Sequence, residues 1–147
     1  MSAQGSARTG LSNMTWPQAL ALAVGAIYTV VGIVGFFITG FDDFFGHTGE
    51  ELVGFEINPF HNVVHLAIGV VGLLLARTLA GARTYGWLLA VGYGAAFVYG
   101  LFAVNASWDF LAINWADNVL HAVSAVIGLA IALGPVRSAV GGRSSRA

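Results

Sequence analysis

Four long apolar runs, at residues 17–39, 59–76, 85–104 and 115–133, alternate with short polar connections along the chain. At ~1.5 Å of rise per residue each spans a ~30 Å hydrocarbon layer as a helix, the second and fourth with little to spare. Chemical signals mark their ends. Pro17 and Pro59 suit a first helical turn, Asn58 and Asn114 are good N-caps, and Gly134-Pro135 is a stop signal. Within the second run Asn58, Asn62, His65, Gly69, Gly72 and Ala76 step by alternating fours and threes, so they share one helix face. Asn114, Asn118, His121, Ala125, Gly128 and Ala132 do the same in the fourth. Each stripe is polar at one end and small beyond it, the make-up of a face buried against other helices in lipid.

Composition explains where the apolar faces go. Of 147 residues 57% are hydrophobic and 9% charged, against ~25% charged in ordinary soluble domains. Lipid must therefore take up the excess. The predicted fold class is all-α: an integral membrane four-helix bundle running up-down-up-down, with residues 1–15 and 135–147 as disordered cytoplasmic tails, a transmembrane domain at 16–134 and an outer loop at 40–57. A cleaved signal peptide fits the first run poorly, because the run exceeds the usual ~7–15 apolar residues and no small-x-small site follows it. All six basic residues are arginines, and Arg8, Arg77, Arg83, Arg137, Arg143 and Arg146 fall on one side of the four runs. The positive-inside rule makes that side cytoplasmic. Asp42, Asp43, Glu50, Glu51, Glu56, Asp109 and Asp117 collect on the other side. The arginine-only base content, with abundant Ala, Val and Gly, points to a GC-rich genome. The absence of cysteine excludes disulfides and thiolate chemistry, and a net charge of −1 gives no reason to expect nucleic acid.

The second and fourth runs match at an offset of 56 residues: Asn58-Pro-Phe-His61-Asn62-Val-Val-His65 against Asn114-Trp-Ala-Asp117-Asn118-Val-Leu-His121. The first and third match more weakly at 67, through Ala23-Val24-Gly25 with Ala90-Val91-Gly92 and Asp42 with Asp109. Like-oriented repeats of this kind imply two tandem helical hairpins related by an axis along the membrane normal, a parallel repeat. The second and fourth helices would then lie diagonally, with their polar faces inward.

The run Ile57-Asn58-Pro59-Phe60-His61-Asn62-Val63-Val64-His65, with Asn114, Asp117, Asn118, Leu120 and His121 further on, resembles a family of small, mostly actinobacterial four-helix membrane proteins known as domain of unknown function 4383. The resemblance covers about residues 16–134. It implies the topology and a bacterial plasma membrane, and brings no activity with it.

The candidate chemistry lies in a polar cluster of Asn58, Asn62, His65, Asn114, Asn118 and His121. Ionisable groups at membrane depth face a bundle interior and are candidate functional groups. One reading is structural: Asn62, Asn118, His65 and His121 hydrogen-bond across helices, and Asp117 serves a helix cap. A second is a divalent metal held by His61, His65, Asp117 and His121, with Asn62 and Asn118 behind them. A third is a b-type haem ligated axially by His65 and His121, the glycines beyond leaving room for the macrocycle. Proton or ion transport through the same histidines is a further possibility. Ser124 is expected to bond its own backbone. No hydrolase nucleophile, phosphate loop or dinucleotide fingerprint is present, so classical enzyme chemistry is not expected. The predicted role is that of a small accessory or structural membrane protein, the alternative a metal- or haem-binding redox or transport protein. Its partners would be the bilayer, further copies of the chain or a larger membrane complex. Trp16, Trp87, Trp108 and Trp115 near the helix ends read as interfacial anchors.

Overall fold

The computed structural model describes residues 14–136. Arg8, Arg137, Arg143, Arg146 and most of the two predicted tails lie outside them. Four helices account for most of the described chain: α1 (Trp16–Thr39), α2 (Pro59–Leu75), α3 (Leu79–Ala103) and α4 (Trp115–Leu133), with a short antiparallel hairpin, β1 (Glu51–Leu52) and β2 (Phe55–Glu56), between α1 and α2. Three of them, α1, α3 and α4, are long and apolar enough to cross a membrane, and α2 is a 17-residue apolar helix.

The starts of the helices follow the sequence signals. Thr15 and Gln18 form a capping box at α1, the Asn58 side chain accepts from His61 N–H at 2.8 Å, and Asn114 and Asp117 cap α4 reciprocally. One start differs from expectation. The third helix begins at Leu79 rather than residue 85, because Thr78 caps it by accepting from Gly81 N–H. Arg83 therefore lies in the first turns of α3. Its guanidinium donates to Ala132 and Gly134 carbonyls at the end of α4, groups that a helix C-terminus leaves without partners.

The helices pack most closely as α1 with α2 and α3 with α4. Gln18, at the start of α1, donates to Ala76 and Arg77 carbonyls at the end of α2, while Asn62, at the start of α2, donates to Thr39 at the end of α1. The two helices are therefore antiparallel. Glycine sets their approach: a Cβ on Gly32 would lie 2.6 Å from Leu66 N, and one on Gly25 2.8 Å from Leu73 N. In the second pair Gly86 and Gly128 bring α3 and α4 equally close. Such backbone contact maximises dispersion where no hydrophobic force separates helix from lipid.

The weak match at an offset of 67 is corrected by this packing. Gly25 is pressed against α2, whereas Gly92 faces open space, and Val24 is buried while Val91 is 68% exposed. The positions with matching contacts are instead 65 apart: Gln18 and Arg83 each bond the end of the following helix, and Gly35 and Gly100 each receive an asparagine amide, of Asn62 and Asn118. Local identity of Ala-Val-Gly misleads because those residues are common in any apolar helix.

Candidate functional site

Tyr28, Tyr85 and Tyr93 occupy the centre of the bundle with Ala21, Ala82, Leu89 and Ile131. Above them, toward the end that carries the hairpin, sit three histidines. His61, His65 and His121 are each at most 4% exposed. The His61 ring centroid lies 4.4 Å from that of His65 and 6.3 Å from that of His121, so α2 and α4 do turn their histidines toward a common centre. The i, i+4 spacing of His61 and His65 stacks those two rings on one face of α2. Below them the rings form a continuous column: His65 to Tyr28 at 5.1 Å, Tyr28 to Tyr93 at 5.3 Å and Tyr93 to His121 at 5.4 Å. Tyr28 O–H and Ser124 Oγ share a 2.6 Å hydrogen bond between α1 and α4. Ser124 thus bonds across the bundle, not to its own backbone.

The remaining predicted residues divide by what they bond. Asn58 is fully buried, and besides capping α2 its amide donates to the carbonyls of Gly46 and Phe110, tying both outer loops to the helix. Asn114 reaches the hairpin through Gly54 carbonyl. Asn62 bonds Thr39, but its Oδ1, that of Asn118 and the Nδ1 atoms of all three histidines are buried with no partner among the described residues. The Nδ1 atoms of His65 and His121 and the Oδ1 of Asn118 thus make no cross-helix bond, and the groups facing them include tyrosine rings and glycine backbone.

Neither cofactor reading fits this arrangement. Among the described residues no three His, Cys, Asp or Glu side chains are placed to hold one metal ion. Asp117, the proposed fourth ligand, accepts from the backbone N–H groups of Asn114 and Glu56 at 3.1 Å each, which commits it to the helix cap and the hairpin. For haem, the stacked Tyr28 and Tyr93 rings lie in the series between His65 and His121, and the space beside the glycines is filled: at Gly69 by Thr29, at Gly72 by the Tyr85 ring and Gly25, at Gly128 by Ala90. A small residue in a helix leaves space only where no second helix takes it.

Two further groups stand out that sequence reasoning passed over. The tyrosines were not singled out, although phenols in the middle of apolar runs at a 65-residue separation are a usable signal. In the sequence Asp109 reads as an outer acid matched to Asp42. It is 2% exposed and accepts from Tyr99 O–H at 2.9 Å, Leu111 N–H at 3.1 Å and Ile113 N–H at 2.7 Å, which organises the whole α3–α4 connection. In the long outer loop His47 Nδ1 meets Glu56 at 2.7 Å, and that hydrogen bond is the main reason the imidazole holds its proton above its ordinary pKa.

A helical bundle with apolar side chains outward and three histidines, the asparagines of α2 and two acids inward is built like a membrane protein. Within that class the chain belongs to the family described as Domain of unknown function (DUF4383), whose profile matches residues 18–134. No curated protein and no solved structure matches the chain.

Proposed function

We propose that the protein is a small accessory membrane protein of a bacterial plasma membrane, crossing the bilayer four times up-down-up-down as two repeated hairpins, with both termini in the cytoplasm. The observation that carries it is the inverted distribution of polarity. Ile27, Phe37, Leu88, Val98, Val119 and Val126 are all about half exposed or more, while Asn58, His61, Asn62, Asn118 and His121 are buried. Water favours the opposite arrangement by ~25 cal/mol per Å² of apolar surface, so this surface suits hydrocarbon. Although α2 is the shortest helix, its start lies beside Thr39 and its end beside Gln18, which supports a crossing of the same layer as α1. The shared roles of Gln18 and Arg83, and of Asn62 and Asn118, support the repeat, in the 65- and 56-residue registers. Arg77 and Arg83 lie at the end opposite Asp42, Glu50 and Asp109, which supports the orientation through the positive-inside rule.

Cysteine is absent from the sequence, so single-cysteine variants report cleanly. An impermeant maleimide added to intact cells is expected to label Glu50→Cys and to spare Ala80→Cys until the membrane is opened. Equal labelling, reversed labelling, or recovery of the protein in the soluble fraction would overturn the proposal.

A further inference from the structure

Seven buried side-chain heteroatoms have no hydrogen-bond partner among the described residues, and five of them belong to one file of rings: Nδ1 of His61, His65 and His121 and the hydroxyls of Tyr93 and Tyr85. The file begins at His61, in the first turn of α2. It passes through His65 and Tyr28 to Tyr93, with successive ring centroids 4.4, 5.1 and 5.3 Å apart, and His121 joins it from α4 at 5.4 Å from Tyr93. Tyr85 carries it toward the other end of the bundle. Its hydroxyl lies against Gly72, where a Cβ would come within 2.7 Å of it, one helical turn before Ala76 at the end of α2. The levels of His61 and Gly72 are ~16 Å apart along the helix, so about one turn remains beyond the file at its inner end. We propose that the protein passes protons across the membrane along this file of imidazoles and phenols and excludes metal cations.

Packing does not account for these groups. Phenylalanine fills the space of Tyr85 or Tyr93 without an oxygen, whereas an unpaired heteroatom in a membrane interior is costly. Within the file only Tyr28 and Ser124 are hydrogen-bonded to each other. What its members share is the ability to take a proton at one site and release one from another. A neutral imidazole accepts at one ring nitrogen and gives up the proton of the other; a hydroxyl accepts at its oxygen while its own hydrogen leaves. A proton entering at His61 is thus replaced by another leaving at the far end, and nothing is oxidised or reduced. Ring spacings of 4.4–5.4 Å are bridged by a ring rotation or by one water between neighbours. That the two ends of the file face opposite sides of a bilayer rests on the membrane reading above.

The exclusion of metal cations follows from the same residues. The buried acids stand at the outer end and are engaged: Asp117 by the N–H groups of Asn114 and Glu56, Asp109 by Tyr99, Leu111 and Ile113, while Glu56 itself pairs with His47. Among the described residues no buried carboxylate lies deeper, so nothing along the file replaces the hydration shell of sodium or potassium. Inward of Tyr85 stand Ala21, Ala76 and Ala82, each at most 1% exposed. This single turn of small side chains separates the phenol from the Gln18 amide at the start of α1, and a proton crosses it by transient hydration.

The test uses the full chain in phosphatidylcholine vesicles that enclose the pH dye pyranine, with a potassium diffusion potential set by valinomycin to drive protons inward. Proton uptake is expected to exceed that of protein-free vesicles roughly tenfold or more, to slow in heavy water, and to come without protein-dependent passage of sodium. His65→Leu removes the ring between His61 and Tyr28 and should return uptake nearly to the protein-free rate. Tyr85→Phe and Tyr93→Phe each remove one oxygen and keep the ring, so the fold stands even where His65→Leu does not fold. Each should lower uptake severalfold, a readout that a merely structural tyrosine does not move. Undiminished uptake in both phenylalanine variants, or passage of sodium as fast as of protons, overturns the proposal. So does uptake at the protein-free rate by chain that maleimide labelling shows to be inserted, a result that leaves the membrane reading standing.

Discussion

At the scale of the residue, the acids do most of the organising. Asp117 holds its own helix cap and the hairpin with one oxygen, and a hydrogen bond of this kind contributes ~0.5–1.5 kcal/mol net. Asp117→Asn is therefore expected to lower stability in detergent by about that amount, read as a fall in the thermal midpoint. His47 supplies a pH dependence of known sign. Its pKa is raised above 6.5 by Glu56, so the contribution of the pair is complete below pH 6.5 and is lost as pH rises through the raised value. The thermal midpoint should decline across that window, and the decline should vanish in Glu56→Gln. The capping roles of Asn58 and Asn114 were legible in the sequence because they depend on neighbours three residues away. The duty of Asp109 was not, because two backbone donors from the folded loop and the Tyr99 hydroxyl of α3 define it.

At the scale of the element, glycine placement decides which surfaces can meet. A Cβ on Gly32 has only the α2 backbone to displace, and a backbone cannot rotate away as a side chain can. Gly32→Ala is expected to destabilise the α1/α2 pair by ~1–3 kcal/mol, the usual cost of overpacking. Gly92→Ala meets nothing within 4 Å and should be neutral or stabilise by up to ~1 kcal/mol through helix propensity. Chemical denaturation of the two variants in detergent separates these outcomes. In the sequence Gly32 shares a small-residue face with Ala21, Gly25 and Gly35, but that face does not say which helix packs on it. The early start of α3 has a related origin: Arg83 and Thr84 break the apolar run, yet Thr78 caps the segment before them and Arg83 bonds the end of α4. Arg83→Ala is expected to increase hydrogen exchange at both helix ends, at Leu79–Thr84 and at Ala132–Gly134.

At the scale of the whole molecule, polarity and periodicity in the sequence determined that four apolar helices form and which stripe of α2 and α4 is buried. Both follow from local rise per residue and from the cost of leaving amides and imidazoles in hydrocarbon. They also determined that His61, His65 and His121 lie on buried faces, because an imidazole in an apolar helix avoids a lipid-facing position. Tertiary structure alone decided what stands between those histidines. Tyr28 and Tyr93 belong to different helices and meet 5.3 Å apart only when both hairpins are assembled, and their rings take the space that the haem alternative assigns to the macrocycle. A lateral cavity has the same origin, because it is the gap left where α1 and α4 do not close under the hairpin. A pattern along one helix states which face is buried. The shape of the space it faces depends on side chains contributed from elsewhere in the chain.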